Sequence, residues 1–497
     1  MDNDDRANFD YLAWDKNDEA YEESQKLFRR GSTVRKIESF MTQKFGKTAT
    51  WVTPIRIGGY NNLYRMKIEG SANNVMIRLP QPNIAQFPNE KTLREAATAT
   101  FIAQNTQIPV PQVLFHGLES EVGPFVIIQY VENCGSMSHA LAMPNETEPT
   151  MAHMLNLDLS EEIIGSFYEK VAIHMLQLFE VSFPRIGSLV QNEDSSFTVA
   201  ARPLTQNMNN MLQLANIPSS VLPPESKTYE TANEWYVALA EMHIAQLVFQ
   251  HNDLVTTLDD CRNKFVARQL FYKLAKEGRL STFGFAEDDW SVQSDSQPSA
   301  LPAPGGSHSF RLWCDDFRPS NVLLNEERDI VAVIDWEFAY VAPTQFALDP
   351  PWWLLLNVPE MWHTDIDDWT KIYEAQLKTW LRAMQKAEKS MEINPEVRLS
   401  IFMRESWETG RFWLNYAARK SWAFDTIFWK YLDERFFGNR KGDIGKQDLW
   451  KTRVELLNEK ERVAMEAFVE KKIKESKDRI LVSWDVEQVK DRLAAVL

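Results

Sequence analysis

The stretch 311–340, RLWCDDFRPSNVLLNEERDIVAVIDWEFAY, limits how this chain can fold more than any other segment. It contains two short β-like runs, Asn321–Leu324 and Ile330–Ile334, separated by polar residues. Asp316 precedes the first run, and Asp335 directly follows the second. Because antiparallel strands joined by a short loop bring their outer ends together, the pattern predicts a hairpin that returns Asp335 to the side of Asn321.

Such a hairpin would bring two carboxylates and one amide oxygen into one place. Mg²⁺ prefers a few carboxylate or carbonyl oxygens together with substrate phosphates, and an unliganded carboxylate nearby can accept a hydroxyl proton. The pattern therefore indicates Asn321 and Asp335 as metal ligands and Asp316 as a general base. The structural alternative is that Asp316 and Asn321 only cap their own turn, as these residue types often do.

The region before residue 133 has the pattern of a small antiparallel sheet with one helix. A helix is predicted at Asn89–Gln104, where good helix formers follow a polar start. Alternating or apolar runs bounded by glycine, proline and asparagine predict strands. These runs are Trp51–Ile57, Leu63–Ile68, Val75–Leu79, Gln112–His116 and Pro124–Tyr130.

The remaining chain is predicted to be mainly helical. We expect an exposed helical lead-in over residues 1–47, a sheet-containing domain over 48–133 and a helical domain over 134–497. Residues 287–309 are rich in Ser, Pro, Gly and Asp and are predicted to form a mobile surface loop. Together the two domains predict an α+β fold with a small antiparallel N-terminal lobe and a large helical C-terminal lobe.

These motifs resemble the kinase-like phosphotransferases of the aminoglycoside phosphotransferase and choline kinase type, in particular their fungal branch, from about Thr53 to Leu356. That family has a catalytic loop H-x-D-x-x-x-x-N followed by a strand that ends in I-D-W-E, which Asp316, Asn321 and residues 334–337 match. The resemblance implies a bilobal protein-kinase-like fold, ATP as phosphoryl donor and Mg²⁺ at Asn321 and Asp335. It implies Asp316 as base rather than Asp315, because the five-residue offset to Asn321 fits. Arg318 would neutralise charge on the transferred group.

The resemblance also implies a nucleotide site in the N-terminal lobe. Its turn, Gly58-Gly59, would cover the phosphates, although an ordinary hairpin turn has the same pattern. A strand cation would pair with an acid on the following helix, and a hinge segment would hold adenine through its backbone. The implied residues are Gly58, Gly59, Arg78, Glu95, Gln129, Tyr130 and Val131.

Two departures from the family pattern favour an alternative, a pseudokinase that binds nucleotide or serves as a scaffold. Cys314 replaces the histidine of the catalytic loop, and Arg78 replaces the strand lysine. A protein kinase is disfavoured because Asp349-Pro350 follows Asp335 without a long activation segment. The acceptor implied by the family is a hydroxyl of a small molecule, which the sequence does not identify.

Charge and cysteine content limit the partners and the compartment. With 54 Lys and Arg against 70 Asp and Glu, the net charge of −16 disfavours nucleic acid and anionic membrane surfaces as partners. The 3 cysteines form no disulfide framework. The acidic start does not have the pattern of a targeting segment, and the apolar runs are too short to cross a bilayer. A cytoplasmic location is therefore predicted.

Overall fold

The computed structural model describes residues 9–144, 153–292, 299–305, 309–395, 398–442 and 444–497. In its N-terminal part, two helices precede a sheet of five antiparallel strands, with a third helix between the third and fourth strands. The sheet order is β1-β2-β3-β5-β4. The elements are α1 (Tyr11–Phe28), α2 (Gly31–Phe45), β1 (Ala49–Ile57), β2 (Asn61–Ile68), β3 (Val75–Pro80), α3 (Pro88–Asn105), β4 (Val113–Gly117) and β5 (Phe125–Gln129).

The predicted exposed lead-in helix is wrong in two respects. The chain breaks at Arg29 and Arg30 into α1 and α2, and α2 lies against the sheet. Ile37, Phe40 and Met41 on one face of α2 are buried in a core that they share with the sheet. Their i, i+3, i+4 spacing is that of a core-facing helix stripe, so burial of this apolar area offsets the cost of ordering the segment.

The rest of the chain is mainly helical, as predicted beyond residue 350, and carries several short strands. The helices are α4 (Met137–Leu141), α5 (Glu161–Glu180), α6 (Gln206–Ala215), α7 (Ala232–Phe249), α8 (Leu258–Lys276), α9 (Thr344–Ala347), α10 (Ile366–Ser390), α11 (Leu399–Thr409), α12 (Arg411–Arg419), α13 (Phe424–Ile427), α14 (Asp433–Phe437), α15 (Glu459–Glu475) and α16 (Val486–Ala494). The strands are β6 (Gly135–Ser136), β7 (Ser182–Phe183), β8 (Ser188–Gln191), β9 (Phe197–Ala201), β10 (Phe310–Cys314), β11 (Val322–Leu324), β12 (Ile330–Val333) and β13 (Ala339–Pro343).

The hairpin predicted within residues 311–340 is present. Strands β11 and β12 pair antiparallel with Val322 opposite Val333, and the Ile334 N–H donates to the carbonyl of Asn321 at 2.9 Å. Strand β6 adds a third strand to this hairpin. A second small sheet, in the order β13-β10-β7, ends at Cys314, directly before Asp315 and Asp316.

The predicted α+β fold class is confirmed, with a small antiparallel sheet in the N-terminal part and a mainly helical C-terminal part. In the helical part, α7 ends at Phe249 and α8 begins at Leu258, where Thr257 accepts from the Asp260 N–H as a helix cap. The loop predicted at 287–309 lies in part outside the described residues, and the domain limits at 47 and 133 stay predictions. Among the described residues, no helix combines the length and apolar character needed to cross a membrane.

Candidate active site

A cleft between the N-terminal sheet and the β11–β12 hairpin encloses a cavity of about 210 Å³. Its apolar walls come from the sheet on one side and the hairpin on the other: Leu63, Met76, Ile128, Leu323 and Ile334. Seven predicted site residues line it: Gly58, Gly59, Arg78, Gln129, Tyr130, Val131 and Asp335. The other four, Glu95, Asp316, Arg318 and Asn321, are not lining residues and are connected to the cleft through the contacts described below.

Arg78 on β3 connects the sheet, helix α3 and the end of the hairpin. Its Nε lies 2.8 Å from the Glu95 carboxylate, and its Nη2 donates to Asp335. The guanidinium is 4% exposed, so its charge is compensated by these carboxylates rather than by water. Burial alone would lower the pKa of Arg78, but the charges of Glu95, Asp335 and Glu337 raise it above its usual value.

Three further residues complete this buried network: Lys91, Asn61 and Glu337, the last residue of the 334–337 motif. Lys91 on the first turns of α3 places its Nζ 2.5 Å from a Glu337 oxygen and 2.6 Å from the amide oxygen of Asn61. The amide nitrogen of Asn61 donates to the same Glu337 oxygen at 2.6 Å. The network thus holds two cations, Arg78 and Lys91, against three carboxylates, and it joins the glycine turn to the segment that carries Asp335.

Replacing Lys91 by methionine is expected to lower the free energy of unfolding by about 3 kcal/mol, because it leaves Glu337 buried with too little positive charge. The double variant Lys91→Met/Glu337→Gln should lose less stability than the sum of the two single changes. Urea unfolding measures all three. Lys490→Met, which removes an exposed ion pair with Glu487, is the control and should cost less than about 1 kcal/mol. Additive losses in the double variant would show that Lys91 and Glu337 do not compensate each other.

Asp335 directly follows the hairpin and has a strained backbone. Its φ of 64° lies in the left-handed region, which residues with a side chain seldom adopt and which is often found at functional sites. Burial would raise the pKa of Asp335, but the charge and hydrogen bond of Arg78 lower it below its usual value. Among the described residues, Oδ2 of Asp335 has no hydrogen-bond partner. The carboxylate is therefore ionised and keeps one oxygen available.

Asp316 and Asn321 interact directly at the start of the hairpin. The Asn321 amide nitrogen donates to the Asp316 carboxylate and to its backbone carbonyl, both at 2.8 Å. Arg318, which is 41% exposed, lies 2.6 Å from the other Asp316 oxygen. Burial raises the pKa of Asp316, and Asp335 adds to this effect, while Arg318 and the Asn321 hydrogen bond oppose it. A carboxylate with a raised pKa and an ordered partner has the properties of a general base.

Asp315, the alternative base, has a different environment. It is 7% exposed, and its carboxylate pairs with Arg419 at 3.1 Å, on the helical side of the molecule. It does not line the cavity. The two adjacent aspartates thus have separate partners, and Asp316 is the one bound to Asn321.

The expectation that both glycines of the Gly58-Gly59 turn face the phosphates is wrong for Gly58. The Gly58 N–H donates to the carbonyl of Asn61 at 2.9 Å, so this amide is engaged in the turn and does not face a phosphate. Among the described residues, the Gly59 and Tyr60 amides have no partner. The hydroxyl of Tyr60 donates to Asn210 of α6 at 3.1 Å, so the turn is attached to the helical lobe.

Some backbone groups of the hinge, residues 129–131, already form hydrogen bonds within the protein. The Tyr130 N–H donates to the carbonyl of Asn74 at 3.1 Å, and the carbonyl of Val131 accepts from the side chain of Asn133 at 2.9 Å. The Gln129 N–H donates to Gln112 at 2.9 Å. Within the described part of the chain, the Val131 N–H has no partner, so this group is the donor that the hinge offers to the cavity.

The residues present fit a Mg²⁺–nucleotide complex. Oδ1 of Asn321, like Oδ2 of Asp335, has no partner among the described residues, and hard oxygens of this kind are the ligands that Mg²⁺ takes. In the part of the chain that the structure describes, no group of three or more His, Cys, Asp or Glu could hold a metal ion. Phosphate oxygens would therefore have to complete the coordination of a cation held by one carboxylate and one amide.

Asp349, a buried residue that follows helix α9, provides a pH-dependent prediction. Burial raises its pKa from 3.8 to about 6, although Ser406 and Asn415 donate to it at 2.6 and 2.9 Å. The folded protein therefore keeps this proton to a higher pH than the unfolded chain, and its stabilising contribution declines as the pH rises from about 4 to about 6. We expect the stability of the wild type relative to Asp349→Asn to fall by about 2–3 kcal/mol between about pH 4 and pH 7. Urea unfolding across this range measures it, and a constant difference would contradict it.

Comparison with known sequences gives limited similarity. The sequence matches no protein-family model. It is 22% identical over 317 residues to the protein named altered inheritance of mitochondria protein 9, mitochondrial, from Debaryomyces hansenii. The match includes 59% of this chain and 47% of that protein, so the chain spans about half the length of this relative.

Comparison with solved structures finds proteins of the group that the motifs resemble. A macrolide 2'-phosphotransferase type I superposes with a TM-score of 0.39 at 12% identity, covering 86% of this chain and 98% of that one. A Plasmodium vivax ethanolamine kinase gives a TM-score of 0.41 at 10% identity, covering 88% and 93%. An aminoglycoside phosphotransferase in complex with AMP-PNP and hygromycin B gives 0.37 at 13% identity, covering 79% and 98%. Because these scores are low, the interpretation of the site rests on the geometry of this chain itself.

Proposed function

We propose that this chain is an ATP- and Mg²⁺-dependent phosphotransferase that phosphorylates a hydroxyl group of a small molecule. The observation that supports it most is the arrangement at the hairpin. Asp316 is bound to Asn321, Asn321 is hydrogen-bonded through its backbone to Ile334, and Asp335 follows at the edge of the cavity. Side chains of these three types in this order suit phosphoryl transfer.

Each side chain has a role that follows from its environment. Asp316 accepts the proton of the acceptor hydroxyl, and burial, which raises its pKa, makes it a stronger base. Arg318, beside Asp316 and partly exposed, offsets negative charge on the transferring group. Asn321 and Asp335 hold Mg²⁺, which when bound neutralises charge on the nucleotide phosphates. Arg78, fixed by Glu95, keeps the Asp335 carboxylate in place.

The cavity provides the site for the nucleotide. Apolar side chains from both sides, such as Met76 and Leu323, would enclose adenine, and the Val131 N–H would donate to it. The free amides of Gly59 and Tyr60 would contact the phosphates, with Gly58 shaping the turn. Gln129 and Tyr130 form the wall of the hinge.

The proposed function is tested by nucleotide-dependent stability and by product formation. ATP with Mg²⁺ should raise the melting temperature of the purified chain, because a ligand that binds the native state stabilises it. Incubation of the chain with Mg·ATP and a small-molecule extract should yield a product heavier by one phosphate group. No shift at millimolar nucleotide, with or without Mg²⁺, would contradict the proposal.

A second candidate is the pseudokinase, a nucleotide-binding or scaffold module without turnover. One observation favours it: Arg78 donates directly to Asp335, so the proposed metal ligand already has a cationic partner. ATP that stabilises the chain equally with and without Mg²⁺, and forms no product, would support this candidate.

The acceptor, other partners and the location of the protein stay predictions. The acceptor is proposed only as a small-molecule hydroxyl. We predict neither a nucleic-acid nor a membrane partner, and a cytoplasmic location, from the sequence features described above.

A further inference from the structure

We propose that Arg419, at the end of helix α12, is a positioning residue for the proposed base Asp316. It acts through Asp315, the residue next to Asp316. The part of this inference that concerns turnover rests on the proposed function. The part that concerns the conformation of the catalytic turn rests on the geometry alone.

The turn that carries both aspartates is tight. The Phe317 N–H donates to the carbonyl of Cys314 at 3.1 Å, so residues 314–317 form a four-residue turn with Asp315 and Asp316 at its two central positions. Two neighbouring side chains at the centre of such a turn leave the backbone in different directions. Fixing the direction of one therefore limits the direction of the other.

Arg419 fixes Asp315 from the helical lobe. The pair is almost completely buried, with Arg419 at 5% and Asp315 at 7% exposure. The guanidinium lies over the rings of Trp313, at 4.6 Å, and Phe346, at 4.5 Å, which prevents it from rotating away. The Trp352 indole also donates to the Asp315 carbonyl at 3.2 Å, so both the side chain and the backbone of Asp315 are held.

On the other side of Asp315, Cys314 is held through its backbone as the last residue of β10, but its side chain adds little restraint. Cys314 is buried, and its thiol lies 4.0 Å from the carbonyl of Asp335, a weak contact. A cavity of about 50 Å³ adjoins Cys314, so this side of the turn is not tightly packed. The Arg419–Asp315 pair is therefore the polar side-chain contact that fixes the turn from the helical lobe, while Asn321 and Arg318 contact Asp316 on its other side.

The test is Arg419→Gln, with Arg411→Gln as a matched control. Both arginines are on α12 and both are buried, but Arg411 donates to the backbone carbonyls of Gly284 and Phe402 and not to the turn. Hydrogen exchange of the peptide containing residues 314–321 is measured in each variant. Turnover is measured as ADP formation from Mg·ATP with water as acceptor, and Mg·ATP affinity by calorimetry.

We expect Arg419→Gln to speed exchange in residues 314–321 by about tenfold or more, since loss of about 1.4 kcal/mol of local stability gives this factor. Turnover should fall by about 100-fold, as for a displaced catalytic group, while the dissociation constant of Mg·ATP changes by less than about twofold. Arg411→Gln should change neither the exchange of this peptide nor the ratio of turnover to affinity. Asp315→Asn should reproduce Arg419→Gln, and the double variant should add little to either.

Unchanged exchange in Arg419→Gln, or an equal increase in Arg411→Gln, would overturn the proposal. A parallel loss of turnover and affinity would also overturn it, because a global structural defect has that effect. A wild type that forms no ADP from Mg·ATP, either with water or with the small-molecule extract as acceptor, would instead contradict the proposed function. The exchange measurements would then test the positioning role of Arg419 by themselves.

Discussion

Asp316→Asn is expected to lower turnover by about 10²–10⁴-fold and to leave Mg·ATP affinity unchanged. The amide keeps an oxygen that can accept from Asn321, so the hydrogen bond at 2.8 Å can persist, but it cannot take a proton from an acceptor hydroxyl. In the wild type, turnover should rise with pH as Asp316, whose pKa burial raises, loses its proton. The pH profile of turnover and calorimetry with Mg·ATP measure the two parts of this prediction.

Asp329→Asn is a suitable control for this change. Asp329 lies at the opposite end of the same hairpin, where it pairs with Lys170 and is 65% exposed. Its replacement should leave turnover and its pH profile as in the wild type. Normal turnover by Asp316→Asn would show that another group accepts the proton, and the catalytic assignment would be wrong.

Asp335→Asn is expected to remove the effect of Mg²⁺ on nucleotide affinity. The amide keeps an oxygen for the Arg78 hydrogen bond, so the network should persist, but the anionic ligand is lost. Loss of a group that only supports a metal ligand typically costs 10–100-fold in affinity, so loss of the ligand itself should cost at least about that factor. Calorimetric titration with ATP, with Mg²⁺ and with EDTA, measures the effect.

Lys91→Met is the informative comparison for this second prediction. It alters the same buried charge network without removing a proposed metal ligand. We expect it to lower stability while ATP affinity still improves on addition of Mg²⁺. An Asp335→Asn protein whose ATP affinity improves with Mg²⁺ as much as that of the wild type would exclude Asp335 as the metal ligand.

The local parts of the site could be predicted from the sequence. The hairpin joins strands a few residues apart, so its register follows from the apolar pattern, and the return of Asp335 to Asn321 follows from that register. Arg78 and Glu95 are on adjacent elements in the chain, and the structure pairs them at 2.8 Å. The hairpin partners are close in sequence, where periodicity and turn signals are informative. The Arg78–Glu95 pair is instead implied by the family resemblance.

The distant parts could not be predicted in this way. Lys91 has the pattern of an ordinary charged helix residue, and its partner Glu337 lies more than 200 residues further along the chain. Asp315 and Arg419 are 104 residues apart, and only tertiary contacts bring them together. Likewise, two glycines indicate a turn, but the pattern does not show that the Gly58 amide is already bonded to Asn61. In contrast, the burial of α2 could have been predicted from the sequence, because its apolar residues follow an i, i+3, i+4 spacing.

The most direct test follows the γ-phosphate of labelled ATP. The wild type and Asp316→Asn are incubated with ATP, with or without Mg²⁺, and a small-molecule extract, and the products are separated by mass. We predict a labelled product heavier than its precursor by one phosphate group, formed by the wild type only with Mg²⁺ and not formed by Asp316→Asn. The same product in equal amount from Asp316→Asn, or from the wild type without a divalent cation, would contradict this prediction.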